Sequence, residues 1–380
     1  MEDKMSLDLA PIPNELKLLL EILKKETDDD VIWLNQSLND IDWEYFLQLA
    51  MHHRIYPLVY SNLKELDKTW IPHHVINILS QKYKKNTYKM LQLCGEMDYI
   101  SKLFAENKIR LLFLKGPVIA DDLFGDISLR TSRDLDILIP INDLEKAEKV
   151  LLSSGYERID SYSLNNWNWK HYHILYSHPQ KQIQIEIHWR LHPRPTIEPS
   201  FQDLWERKRI SNLTTHPIYL LGKEDLFLFL ITHGARHGWS RLRWLIDIDK
   251  MIRDGIDLRK TTLLMKNFHY NHIGGQAFIL ASQLLNTPFN KDKQFLLNGG
   301  ESRKLAQKAI YFIKDINEFN YPKGYMFSLK SNNQKILFIM NLFYPNYIDA
   351  ETLILPKFLK FLHFPLRPFL WIWRKTRKAS

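Results

Sequence analysis

The chain has 380 residues and a formal net charge of +9, with 45% hydrophobic and 25% charged residues. That is an ordinary globular composition with room for two or three compact units. Its 13 glycines and 17 prolines exclude collagen-like and low-complexity architectures, and its one cysteine, Cys94, excludes an internal disulfide framework and any cysteine-based zinc site. Cys94 itself reads as a small core residue on a helix.

The charge is unevenly placed. Seven basic residues and no acid fall between Pro356 and Ser380, which leaves +2 for residues 1–355. Nucleic-acid binders usually spread basic charge over the folded body, so this distribution argues against nucleic acid as the main partner. The first residues, MEDKMSLDLAPIP, lack the basic and apolar regions of a secretory signal, and no segment supplies about 18 uninterrupted apolar residues. A cytoplasmic protein is expected.

In chain order, the spacing of apolar residues predicts helices over 14–25, 42–54 and 72–107, the last with Pro72 in its first turn and Val75, Leu79, Met90, Leu91, Met97 and Ile100 on its apolar side. At Ile109 the texture changes. Residues 109–114 form a short apolar run closed by Lys115-Gly116-Pro117, residues 134–139 a second strand, 142–154 a helix, 171–176 a third strand and 182–188 (QIQIEIH) a strictly alternating fourth. Helices return over 224–237 and 240–253, with weaker ones to about 343. The predicted class is α+β, in three regions: 1–108 helical, 109–200 a small mixed-sheet core, and 201–380 helical with a basic aromatic tail.

Residues two apart on a strand share a face, so Asp134 and Asp136 present paired carboxylates while Leu135 and Ile137 turn to the core. Such a pair needs solvent or a cation. Oxygen ligands of this kind suit Mg²⁺ or Mn²⁺, commonly shared with substrate phosphates. Glu186, on the polar face of the 182–188 strand, offers a third carboxylate that can accept a proton. Gly116 permits close backbone approach at a strand-to-helix turn, and Lys115 and Arg130 can neutralise phosphate oxygens. Arg133 reads equally as a counter-ion of the strand.

The segments LLFLKGPVIADDLFGDISLRTSRDLDILIP, IQIEIHWRL and ITHGARHGWSRLRWLIDIDKM together resemble the uncharacterised bacterial nucleotidyltransferase family of the polymerase-β superfamily. That family carries an LKG turn, an R…DxDxL strand, an acid-x-His-Trp strand and a His-rich helix ending in W-L-x-D. The resemblance implies transfer of a nucleoside monophosphate from an NTP to a hydroxyl or similar acceptor. Asp134, Asp136 and Glu186 would be the metal ligands, with Lys115, Gly116, Arg130 and Arg241 around the nucleotide. A small-molecule or peptide acceptor is favoured, in a natural-product or polysaccharide pathway, with a tRNA end as the alternative. One departure stands out. The superfamily usually has Gly-Ser or Gly-Gly roughly a dozen residues before the first aspartate, whereas here Pro117 follows Gly116 and residues 117–133 intervene. A catalytically silent nucleotide- or partner-binding module is therefore the competing reading.

His233 and His237 share a helical face, but HGARH lacks the glutamate of the HExxH zinc pattern, so packing or hydrogen bonding beside a cleft is expected. Arg241 or Arg243 could reach a triphosphate, with Asp247 orienting one of them. His188 and Trp189 read as braces of the Glu186 strand. No GxxxxGK[ST], GxGxxG or GxSxG pattern occurs. In the tail, Pro365 and Pro368 are expected to interrupt any continuous helix, and the aromatic residues to pack back on the C-terminal helices, with an anionic membrane interface as the alternative.

Overall fold

The computed structural model describes residues 6–24, 40–65, 70–159, 171–194, 196–289, 299–316, 322–342 and 347–377. The chain divides into two compact units, 1–322 and 323–380.

The first unit begins with helices α1 (Asn14–Lys24), α2 (Trp43–His52), α3 (Tyr56–Glu65) and α4 (His73–Glu106). Asp42 starts α2 by accepting the free amides of Glu44 and Tyr45. Pro72 caps α4 from just outside its first turn. The long helix buries Val75, Leu79, Met90, Met97 and Ile100 as expected, but leaves Leu91 exposed and Cys94 only half-buried. Both lie off the buried stripe of a helix that meets the rest of the unit along one side.

A seven-stranded mixed sheet follows. Its elements are β1 (Leu112–Phe113), α5 (Pro117–Phe124), β2 (Leu135–Leu138), α6 (Leu144–Ser153), β3 (Glu157–Arg158), β4 (His173–His178), β5 (Ile183–His188), α7 (Phe201–Glu206), β6 (Arg209–Ser211) and β7 (Ile218–Leu220). The strand order is β3-β4-β5-β2-β1-β7-β6. Parallel pairing joins β2 to β5 and β1 to β7, and the other pairs are antiparallel. Strands β6 and β7, beyond residue 200, complete one edge of this sheet. The apolar run 109–114 pairs over only two residues, because Ile109 still closes the end of α4 through its amide to the Phe104 carbonyl and the chain turns at Lys115-Gly116 into α5. Leu114 still donates its amide to the Asp136 carbonyl. The third strand begins two residues later than its sequence suggests, in register with β5 across the turn at residues 179–182.

Helices α8 (Lys223–Arg236), α9 (Leu242–Arg253), α10 (Leu258–Asn267), α11 (Asn271–Leu285) and α12 (Gly300–Ile313) complete the unit. Every residue of α8 from Asp225 to Ala235 is buried, so it is a core helix rather than an amphipathic one. Gly234 is required there. A Cβ would stand 2.5 Å from the Trp239 ring, which folds back onto the helix and is itself fully buried. The HGARHGW segment is thus in part a packing motif.

The second unit holds α13 (Lys323–Ser328), α14 (Asn332–Leu342), α15 (Tyr347–Thr352), a 3₁₀ turn over Lys357–Leu362 and α16 (His363–Arg377). Two expectations fail here. The tail forms a continuous helix through both prolines. Pro365 sits in the first turn, where its missing N–H has no helical partner to lose, and Pro368 sacrifices one internal bond. The aromatic residues also do not all pack back: Phe358, Phe361, Phe364, Phe369, Trp371 and Trp373 are exposed. The inward face of α16 is taken by other residues. Among the described residues, no helix is long and apolar enough to cross a membrane.

Candidate active site

Strand pairing assembles the site. Asp136 on β2 is the direct partner of Glu186 on β5, and His188, two residues along β5, is the partner of His173 on β4. The period of two puts these side chains on one face, while Leu135, Ile137, Ile185 and Ile187 go fully into the core behind them. Asp134 immediately precedes β2. Gly116 lies behind the strand rather than along the cavity: at φ 104° it takes a conformation open mainly to glycine, and a Cβ there would press on Leu135 at 3.3 Å.

The face opens into a cavity of about 370 Å³. Its floor carries Asp134, Asp136 and Glu186, with Lys115, His173 and His188 among them. Lys115 Nζ donates to Asp136 Oδ1 at 2.9 Å, and His188 Nε2 lies 3.3 Å from Asp136 Oδ1 and 3.3 Å from Glu186 Oε2. His173 Nδ1 is 3.5 Å from Glu186 Oε2. The donor atoms of His173, Glu186 and His188 lie within 4.8 Å of one another, close enough to share one metal ion. Asp136 is 1% exposed, so solvent does not hold its charge, whereas Asp134 is half-buried. The Oδ2 of Asp136 is buried without a hydrogen-bond partner.

Charge is strongly perturbed here. Burial pushes the Asp134 carboxyl up, reinforced by neighbouring Asp136. Burial would raise Asp136 too, but the Lys115 ammonium and His188 hold it well below the usual carboxylate range. His188 also outweighs burial at Glu186, which is lowered. In return, Asp136 and Glu186 outweigh burial at His188 and raise it above the ordinary imidazole value.

The same cavity is also lined by basic groups, Arg54, Arg236, Arg241 and Arg243, together with His233, His237 and Trp244. Burial, then repulsion by Arg241 and Arg133, lowers Arg54 to about 10. Burial, then Arg130 and Arg54, carries Arg243 well below its ordinary value. Crowded, partly desolvated guanidinium groups are poised for a polyanion. The α9 start is pinned to the α2–α3 turn: Arg241 donates to the His52 carbonyl, and Leu242 donates its amide to His53 Nδ1. The rings of His233, His237 and Trp244 touch one another in tilted and edge-on contacts, and burial drives both histidines to the neutral form, His237 to about 3. That agrees with packing residues beside a cleft.

Some expected partnerships are replaced. Asp247 does not orient Arg241 or Arg243. Both its oxygens are taken by Arg130, at 2.9 and 3.0 Å, in a fully buried pair. Arg243 instead donates to the carbonyl and hydroxyl of Thr131. Arg130 lines the cavity at 2% exposure, and its Nη1 is without a partner. Lys115 is bound to Asp136 rather than waiting for phosphate. Arg133 is exposed.

Sequence reading missed Arg54, Tyr172, His173 and Arg236. His173 was findable, since 173–178 alternates against 182–188. Arg54 was not: its signal is a left-handed residue (φ 56°) after α2, visible only in three dimensions.

The family described as uncharacterised nucleotidyltransferase matches residues 39–286. A crystal structure of an antigenic nucleotidyltransferase-like protein from Paracoccidioides brasiliensis is similar at 14% identity and a TM-score of 0.33, over 55% of this chain and 97% of that chain. No curated protein matches the chain.

Proposed function

Since the chain belongs to the uncharacterised nucleotidyltransferase family, we propose that the cavity transfers a nucleoside monophosphate from a nucleoside triphosphate to an acceptor hydroxyl. The observation that carries this reading is one cavity lined both by three carboxylates, Asp134, Asp136 and Glu186, and by five arginines, Arg54, Arg130, Arg236, Arg241 and Arg243. A divalent cation fits the floor. Asp136 Oδ2 is buried without a partner, and Asp134 and Glu186 stand beside it with two imidazoles. Three carboxylates suit Mg²⁺, and the added imidazoles favour Mn²⁺. When bound, such an ion polarises phosphoryl oxygens and neutralises their developing charge.

The chain's own residues do the rest. Arg54, Arg236, Arg241 and Arg243 hold the triphosphate and offset charge on the leaving pyrophosphate. The acceptor oxygen attacks the α-phosphorus, the bond to the bridging oxygen breaks, and the hydroxyl proton passes to Glu186. Held ionised by His188, Glu186 is ready to receive it. The neutral His233 and His237 with Trp244 close one side of the cavity. A small-molecule or peptide hydroxyl suits its size better than a folded nucleic acid.

Labelled NTPs, candidate acceptors and Mg²⁺ or Mn²⁺ supply the test, with calorimetry of metal-dependent NTP binding beside it. The absence of both transfer and binding would sink the reading. One observation favours a silent nucleotide-binding module instead: Lys115 and His188 already neutralise Asp136. Nucleotide binding without turnover, unchanged in Asp136→Asn, would select that alternative.

A further inference from the structure

The second unit presents its apolar residues outward. Thirteen of the 23 large hydrophobic side chains exposed among the described residues fall between Ile336 and Trp373, a concentration that ordinary surface scatter does not produce. Helix α16 shows how it arises. Its inward stripe is charged: the fully buried Asp349 on α15 accepts from Arg374 at 2.6 Å and pairs with Arg367 at 3.4 Å, with buried Leu370 and His363 on the same side. Its outward arc carries Phe364, Phe369, Trp371, Ile372 and Trp373. The preceding 3₁₀ turn adds Phe358, 76% exposed, and Phe361, 68% exposed, three residues apart and so on one side. A water-facing helix has the reverse arrangement.

We propose that this unit docks on the surface of an anionic lipid bilayer, with α16 lying in the interface plane. Three features select that occupant. Residues 356–380 carry seven basic residues and no acid; two of them, Arg367 and Arg374, pair with Asp349, and the charge of the other five is complementary to anionic headgroups. Tryptophan and phenylalanine among them suit the boundary between headgroups and hydrocarbon. Finally, a 15-residue helix spans only about 22 Å, and this one carries two arginines tied to Asp349, so it cannot cross a hydrocarbon core of about 30 Å. A second copy would bring like charge against like charge, and a protein partner would need a face both acidic and apolar. The inference is independent of nucleotidyl transfer.

Sedimentation of the full chain with vesicles tests it. Phosphatidylcholine vesicles containing phosphatidylglycerol should carry down about tenfold more protein than phosphatidylcholine alone, and added salt should reverse most of the gain. The triple variant Phe358→Ser/Phe361→Ser/Phe369→Ser should keep its circular dichroism and melting temperature but stay in the supernatant. Should it misfold, Lys360→Glu, at an exposed position, provides the second arm and should weaken sedimentation. The proposal is overturned by equal sedimentation with both vesicle types or by none, by binding that the variants leave unchanged, or by a concentration-dependent dimer that the triple variant dissolves without any vesicle binding.

Discussion

Asp136 and Asp247 are both essentially fully buried aspartates that face cations, yet they do different work. Asp247 spends both oxygens on Arg130 in a two-bond pair between the segment before β2 and α9, so that the carboxylate has no oxygen left over, while Arg130 keeps Nη1 unpartnered. Asp136 spends one oxygen on Lys115 and His188 and leaves the other without a partner beside a cavity. Burial and neutralisation are common to the two. What separates a structural pair from a candidate ligand is unused valence facing open space.

The largest expected contrast lies in turnover. Asp134→Asn and Asp136→Asn should each remove transfer, by on the order of a thousandfold, since several kcal/mol of charge stabilisation depend on the carboxylate set. Their stabilities should diverge. Asp134 is raised by burial and by its neighbour, so Asp134→Asn should melt higher. Asp136→Asn strands Lys115 and His188 and should melt lower. If both variants keep activity, the pair is structural and the reading of the cavity fails.

Asp247→Ala should do the opposite. Removing one partner of a buried pair leaves the Arg130 guanidinium uncompensated and should cost about 3–5 kcal/mol of stability in denaturant unfolding. Nucleotide affinity of the folded fraction should change far less. A variant of normal stability without nucleotide binding would break the distinction between the two aspartates.

Arg54 sharpens it from among the cationic residues of the same cavity. Its side chain lines the cavity with Nε unpartnered, while its backbone is left-handed at φ 56°. Arg54→Gly should relieve about 1 kcal/mol of backbone strain and lose a charge-assisted contact to phosphate, weakening NTP binding roughly ten- to a hundredfold. Calorimetry and a melting curve on one sample separate the effects: weaker binding with equal or higher stability is expected. Unchanged affinity would remove Arg54 from the phosphate site.

The legible part of this site was the part written in local periodicity. The alternation in DLDIL and QIQIEIH gives two strands and the face of each carboxylate, and hydrophobic spacing gives the flanking helices. What local pattern cannot carry is partnership across the chain. Arg130 finds Asp247 117 positions away, and Arg54 reaches the cavity only because the α2–α3 turn is bonded to the start of α9. Strand β1 pairs over just two residues, so its length was set by the helix end before it and the turn after it rather than by its apolar run. In the tail, composition suggested burial, while the ion pairs of Asp349 claim the inward side of α16.

The smallest effect comes from a buried titrating group that does not line the cavity, and it asks whether stability alone can report such a group. Burial, with His52 and Arg241 nearby, lowers His53 from 6.5 to about 3. The unfolded chain therefore takes up a proton below about pH 6.5 that the folded chain refuses until near pH 3. Stability from His53 is fully present above pH 6.5 and falls by about 1.4 kcal/mol per pH unit as acid is added through that window. His53→Leu removes this dependence but leaves the Leu242 amide, which donates to His53 Nδ1, without an acceptor, at about 1–3 kcal/mol. At neutral pH the variant should accordingly be the less stable protein. As pH falls from 6.5 toward 5 the difference should shrink by about 2 kcal/mol, and the two unfolding curves should converge. A difference that stays constant across that window would show that His53 titrates alike in the folded and unfolded chains.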